Sequence, residues 1–66
     1  MRKEEMRKEI LIVCEDWVSL EDIAATIERT TAYLLSDIIP SMLEENLIER
    51  MYPEIPRHPY QKYRRI

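Results

Sequence analysis

The stretch Ile48-Glu49-Arg50-Met51-Tyr52-Pro53-Glu54-Ile55-Pro56-Arg57-His58-Pro59-Tyr60-Gln61-Lys62-Tyr63-Arg64-Arg65-Ile66 reads as two strands around a stiff loop. Three of the chain's four prolines, Pro53, Pro56 and Pro59, fall within seven residues here. Proline cannot donate a ladder hydrogen bond, so these positions mark an extended hairpin tip and not a sheet interior. Before the loop, residues 47–52 are short and mainly apolar; after it, residues 60–66 are aromatic and basic, as in a half-exposed strand.

Helical patterning precedes the hairpin. Met6, Ile10, Val13, Cys14 and Trp17 form one apolar stripe of a first helix over about residues 2–16, which assigns Cys14 and Trp17 to the core. Val18 is then placed to pair beside the hairpin as a short first strand. Ser19 stands three residues before Asp22, so its hydroxyl can accept from a free amide of a second helix, about 20–28, whose inward face is Leu20, Ile23, Ala24 and Ile27. Glu21 and Asp22 suit the positive end of that helix. Arg29-Thr30 breaks the pattern and offers threonine caps for a third helix, about 31–45, with Leu34, Leu35, Ile38, Ile39, Met42 and Leu43 as its apolar positions. Asn46 closes it, because asparagine tolerates a left-handed backbone. Pro40 removes one hydrogen bond and clashes one turn back, which predicts a kink or break near residues 37–39. Helices two and three stand at helix-turn-helix spacing. With the hairpin over about 47–66 as wing, the expectation is a single α+β domain over residues 1–66, a winged helix-turn-helix.

Composition bounds the function. Sixty-six residues hold one small core. The absence of glycine excludes Gly-rich phosphate loops of the Walker and dinucleotide types. One cysteine and one histidine offer neither an internal disulfide nor a metal cluster, so no cofactor and a reducing, cytoplasmic setting are expected. No apolar run approaches the ~20 residues of a membrane helix and no targeting segment is recognised, so no membrane partner is expected. Charge is segregated: residues 1–14 carry a net +1, residues 15–54 a net −8 and residues 55–66 a net +4 with no acid, within a total of −3. That balance disfavours tight unspecific DNA binding and leaves a basic patch at the C-terminus.

The segment Asp37-Ile38-Ile39-Pro40-Ser41-Met42-Leu43-Glu44-Glu45-Asn46-Leu47-Ile48-Glu49-Arg50, followed by Tyr52-Pro53, Pro56, His58-Pro59 and Gln61-Lys62-Tyr63-Arg64, resembles the C-terminal winged helix-turn-helix domain of Fic-family proteins and of RecG-helicase-related bacterial proteins. The resemblance covers nearly the whole chain and is most specific in about the last thirty residues. In that family a proline within the third helix, a leucine-glutamate-glutamate-glycine-leucine-isoleucine-glutamate exit and a tyrosine-proline start to the wing recur together. Asn46 stands here where glycine is usual. The resemblance implies a C-terminal module of a larger bacterial protein whose catalytic domain lies elsewhere. The Fic histidine-proline-phenylalanine signature is not present, since Tyr60 follows His58-Pro59 and the chain has neither phenylalanine nor glycine. Adenylyl transfer is therefore not expected, nor any other catalysis or small-molecule substrate.

The early residues of the second helix of a helix-turn-helix lie along base edges in the major groove. Here these are Arg29, Thr30, Thr31, Ala32, Tyr33 and Ser36, a set able to hydrogen-bond but poor in charge, with Asp37 repelling phosphate. In the wing, Arg57, His58, Lys62 and Arg64 are candidates for phosphate or minor-groove contact. Strand alternation puts Lys62 and Arg64 on one face and Gln61, Tyr63 and Arg65 on the other, with Tyr63 inward. A plain alternative makes the last strand a solvated edge whose charges block strand pairing. His58 is expected to fix the loop by packing or hydrogen bonding. Adjacent acids such as Glu15-Asp16, Glu21-Asp22 and Glu44-Glu45 do not face one another on a helix and read as solvated. The expected function is a non-catalytic DNA-binding or regulatory module for double-stranded DNA. The alternative is a protein-protein interaction or homodimerisation module whose acidic, apolar-edged surface meets a partner domain, with Tyr33, Leu35 and Met51 as candidate patch residues.

Overall fold

The structure is a computed structural model that describes residues 2–66. Its elements are α1 (Lys3–Val13), β1 (Val18–Ser19), α2 (Leu20–Ile27), a third helix α3 over residues 31–44, β2 (Ile48–Arg50) and β3 (Lys62–Arg65). The class is α+β: three helices cover one face of a three-stranded antiparallel sheet of order β1-β3-β2. β2 and β3 form the expected hairpin, with Ile48 opposite Arg65, Glu49 opposite Arg64 and Arg50 opposite Tyr63. Val18 pairs with Tyr63 and Ser19 with Lys62, so the short first strand lies beside β3 as expected. β3 is therefore the central strand. This corrects the solvated-edge alternative for the last strand, since β3 is flanked by β1 on one side and β2 on the other, with Tyr63 paired to both.

Caps explain the element boundaries. The Ser19 hydroxyl accepts from the Asp22 amide at 3.2 Å and the Thr30 hydroxyl from the Tyr33 amide at 3.1 Å, so both helix starts fall where the sequence places them. α2 ends one residue early. Glu28 turns left-handed at φ 57°, and Arg29 N–H reaches back to the Ala24 carbonyl at 3.0 Å, a six-to-one closure of the Schellman type. Asn46, at φ 59°, ends α3 in the same way, with Leu47 N–H on the Met42 carbonyl at 2.9 Å. α1 stops at Val13 and not near residue 16. There the Cys14 carbonyl accepts from Arg65 N–H at 2.8 Å, and the Asp16 carboxylate takes the Trp17 amide at 2.7 Å, which turns the chain toward β1.

α3 carries the break expected before Pro40, in a particular form. It is α-helical over Thr31–Tyr33, π-helical over Leu34–Ile38 and α-helical again over Ile39–Glu44. Ile39 N–H bonds to the Leu34 carbonyl, five residues back, which widens the turn before Pro40. Pro40 then sits in the first turn of the following segment, where its missing N–H costs least.

The core joins Met6, Ile10 and Cys14 of the α1 region, Ile23, Ala24 and Ile27 of α2, Leu34, Ile38, Ile39 and Met42 of α3, and Ile48 and Tyr63 of the sheet. One core assignment is corrected. Trp17 is only half-buried, because the early end of α1 carries it out beneath the Arg64 guanidinium, 4.4 Å from the ring centroid. Leu35, one of the candidate patch residues, lies at the margin of the α3 stripe, 40% exposed, and faces the hairpin loop across a groove. Truncating one fully buried aliphatic side chain costs about 2–5 kcal/mol, much of the stability available to so small a domain.

Candidate nucleic-acid interface

The hairpin loop is built by its prolines. Ile55 N–H bonds to the Tyr52 carbonyl at 3.2 Å, His58 N–H to Ile55 at 2.9 Å and Gln61 N–H to His58 at 3.0 Å. Three four-residue turns thus follow one another, and Pro53, Pro56 and Pro59 occupy the second position of each, where a preset φ is favoured. Gln61 locks the turns together. Its Oε1 accepts from Tyr52 N–H at 2.8 Å, while its Nε2 donates to the carbonyls of Tyr52, Ile55 and Pro56 at 2.8, 3.1 and 3.3 Å. His58 stacks on Tyr52, with ring centroids 3.8 Å apart and planes 8° from parallel, and its Nδ1 accepts from Tyr60 N–H at 3.0 Å. His58 therefore fixes the loop, as expected.

The start of α2 and Leu35 of α3 meet the loop at one groove of about 250 Å³, where Leu20, Glu21 and Leu35 face Pro56, Arg57, His58 and Pro59, and none of Arg29, Thr30, Thr31, Tyr33 and Ser36 lines it. On the α3 side, Arg29 and Thr30 are exposed, Thr31 and Tyr33 half-buried and Ser36 exposed. Several polar groups of this set already have local partners. The Arg29 Nη1 donates to the Glu28 carbonyl at 3.0 Å, the Thr30 hydroxyl caps α3, and the Ser36 hydroxyl donates to the Tyr33 carbonyl at 3.2 Å. Asp37 is bridged by Lys3 at 3.0 Å, which lifts the lysine pKa above its ordinary value and offsets the acid's repulsion toward phosphate. Arg7 pairs with Glu45 in the same manner, so cations of α1 neutralise acids of α3.

The four loop and strand candidates divide into two groups. Arg57 and His58 line the groove toward α3. Tyr63 points into the core at 2% exposure, so alternation sends Lys62 and Arg64 to the opposite face of the sheet. Arg64 is held there between Glu49, 3.1 Å from its Nη2, and the Trp17 ring. Arg57 and Lys62 are exposed and make no ion pair among the described residues. The structure thus sets Arg57 across a groove from Leu35 of α3 without joining it to Arg29, Thr30, Thr31, Tyr33 or Ser36, leaves Lys62 exposed on the opposite face of the sheet, and leaves Arg64 occupied.

Three features went unread in the sequence. The period-three prolines followed by a glutamine were a signal for Gln61 as the loop's centre. The Trp17–Arg64 stack and the Lys3–Asp37 bridge join residues 47 and 34 positions apart, and no local pattern marks such pairs.

Among the described residues, no helix is long and apolar enough to cross a membrane, and no cluster of histidine, cysteine, aspartate or glutamate is arranged to hold a metal ion. No family model, curated protein or solved structure matches the chain.

Proposed function

We propose that the chain is a winged helix-turn-helix module that binds double-stranded DNA without catalysis, of the kind found at the C-terminus of Fic-family and RecG-related bacterial proteins and acting in the cytoplasm. The observation that supports this reading is the wing-like loop beside α3: Arg57 of the loop faces Leu35 of α3 and the start of α2 across one groove. In this reading α3 lies in the major groove and the loop, across the groove from Leu35, reaches the neighbouring backbone. Arg29, Thr30, Thr31, Tyr33 and Ser36 are the base-side residues of this reading, and Arg57 and Lys62 its backbone contacts. His58 positions the loop. Arg64 belongs to the scaffold, because releasing it for phosphate exposes Glu49 and Trp17.

The test is the salt dependence of duplex binding. Each of Arg57→Ala and Lys62→Ala is expected to weaken binding evenly across sequences and to reduce the slope of log K against log salt by about 0.9. Arg64→Ala is expected to leave the slope unchanged and to lower stability. Unchanged slopes for Arg57→Ala and Lys62→Ala would remove the loop from the interface.

A second reading has its own observation. Ile55 and Tyr60 on the loop, with Ile12 and Ile66 elsewhere, are exposed apolar side chains, as a protein-interaction or homodimerisation module would carry. Tyr33, by contrast, packs half-buried against the core. Sedimentation over a concentration series distinguishes self-association from a monomer that binds DNA.

A further inference from the structure

The most exposed aromatic ring of the protein sits on its most tightly organised loop. Tyr60 is 74% exposed. It is the third residue of the third proline turn, its N–H donates to His58 Nδ1, and its ring lies 6.0 Å from that of His58, tilted by 51°, while His58 in turn stacks on Tyr52. The outer ring of this aromatic array is left bare, on a backbone that the turns and the Gln61 amide fix on either side of it. Arg57 and Lys62 bracket it along the chain, and residues 55–66 contain no acid. A backbone clamp needs donors, which Arg57 and Lys62 supply; it has no use for a projecting, exposed π face. Such a face beside unpaired cations matches the surface of an unstacked base next to its phosphates.

We propose that the loop stacks Tyr60 on an unpaired base at a duplex end or fork, with Arg57 and Lys62 on the adjoining phosphates. This rests on the duplex-binding reading and names its partner more closely, as a junction between double- and single-stranded nucleic acid. α3 holds the duplex and the loop meets the first base beyond it.

The experiment compares a blunt duplex with the same duplex carrying a short single-stranded arm, using the full chain and a fluorescent adenine analogue at the first unpaired position. The armed duplex is expected to bind about 5- to 100-fold more tightly, with quenching of the analogue. Tyr60→Ala is expected to abolish both the preference and the quenching while keeping blunt-duplex affinity; Tyr60→Phe, which retains the ring, is expected to preserve both. Because the ring is exposed, both variants are expected to unfold at the wild-type temperature. Equal wild-type affinity for the two duplexes with an ordinary salt slope overturns the stacking proposal alone, as does an arm preference that survives Tyr60→Ala. Binding to neither duplex overturns the duplex reading with it, and leaves the exposed loop to a protein partner.

Discussion

Glu28 and Asn46 hold left-handed backbone in a chain that has no glycine to spend on such positions. For a residue with a Cβ, that conformation costs roughly 1–2 kcal/mol, less for asparagine. Glu28→Gly is therefore expected to stabilise the fold by about 0.5–1 kcal/mol, after the extra freedom glycine gains in the unfolded chain. Thermal unfolding checks it, with an expected rise of a few degrees; a fall would mean the Glu28 side chain contributes more than its backbone loses. Asn46 was legible as a cap because its residue type favours the conformation. Glu28 was not, since nothing in glutamate's chemistry announces it, and the requirement comes from joining α2 to the Thr30 cap in so few residues. Cys14 gives a second prediction at this scale. Its burial lifts the thiol from 9.0 to about 11, so the unfolded chain loses this proton at lower pH than the folded one. Stability is then full below about pH 9 and declines as pH rises toward 11. Burial of Tyr63 pushes its hydroxyl in the same direction and adds to the decline. Urea unfolding over this range checks the sign, and Cys14→Ala, though less stable at neutral pH, is expected to show a shallower alkaline loss.

At the scale of elements, the hairpin loop and α3 show how far pattern reading goes. The prolines marked the loop, and their spacing encodes its three turns; the Gln61 lock depends on bonds to carbonyls that are indistinguishable in sequence from any others. Gln61→Ala removes the partner of Tyr52 N–H and the donor to three carbonyls. A cost of about 1–3 kcal/mol is expected, the range for leaving such groups unsatisfied, with faster amide exchange at Tyr52 and Ile55. An unchanged exchange pattern would show that the prolines hold the loop alone. In α3 the sequence located the disturbance before Pro40 but not its form, because a kink, a break and a π turn all answer the same missing N–H. Pro40 lies in the first turn of its segment, so Pro40→Ala is expected to stabilise by no more than about 1 kcal/mol, well short of the ~3 kcal/mol for proline in a helix interior. Denaturant unfolding measures this. A gain near the full value would mean that the π turn is strained by the proline instead of accommodating it.

At the scale of the whole molecule, charge is arranged more locally than a net −3 suggests. Lys3 and Arg7 of α1 answer acids of α3, and Arg64 answers Glu49, so part of the acidity of residues 15–54 is neutralised within the fold. Among the described residues, the exposed cations left without an ion pair include Arg29 before α3, Arg57 on the loop and Lys62 on the opposite face of the sheet. The α+β class and the hairpin followed from local patterns, whereas this distribution of charge did not, because it depends on which distant residues meet. The duplex-binding reading predicts an interface of few phosphate contacts, whose affinity is modest and whose sequence preference rests on Thr30, Thr31, Tyr33 and Ser36. The most direct measurement is binding of the chain to a random-sequence duplex pool, with enrichment and a salt titration. The reading predicts enrichment of a defined motif and a slope of about −2 to −3 in log K against log salt, from two or three neutralised phosphates; no retained duplex even at low salt would contradict it.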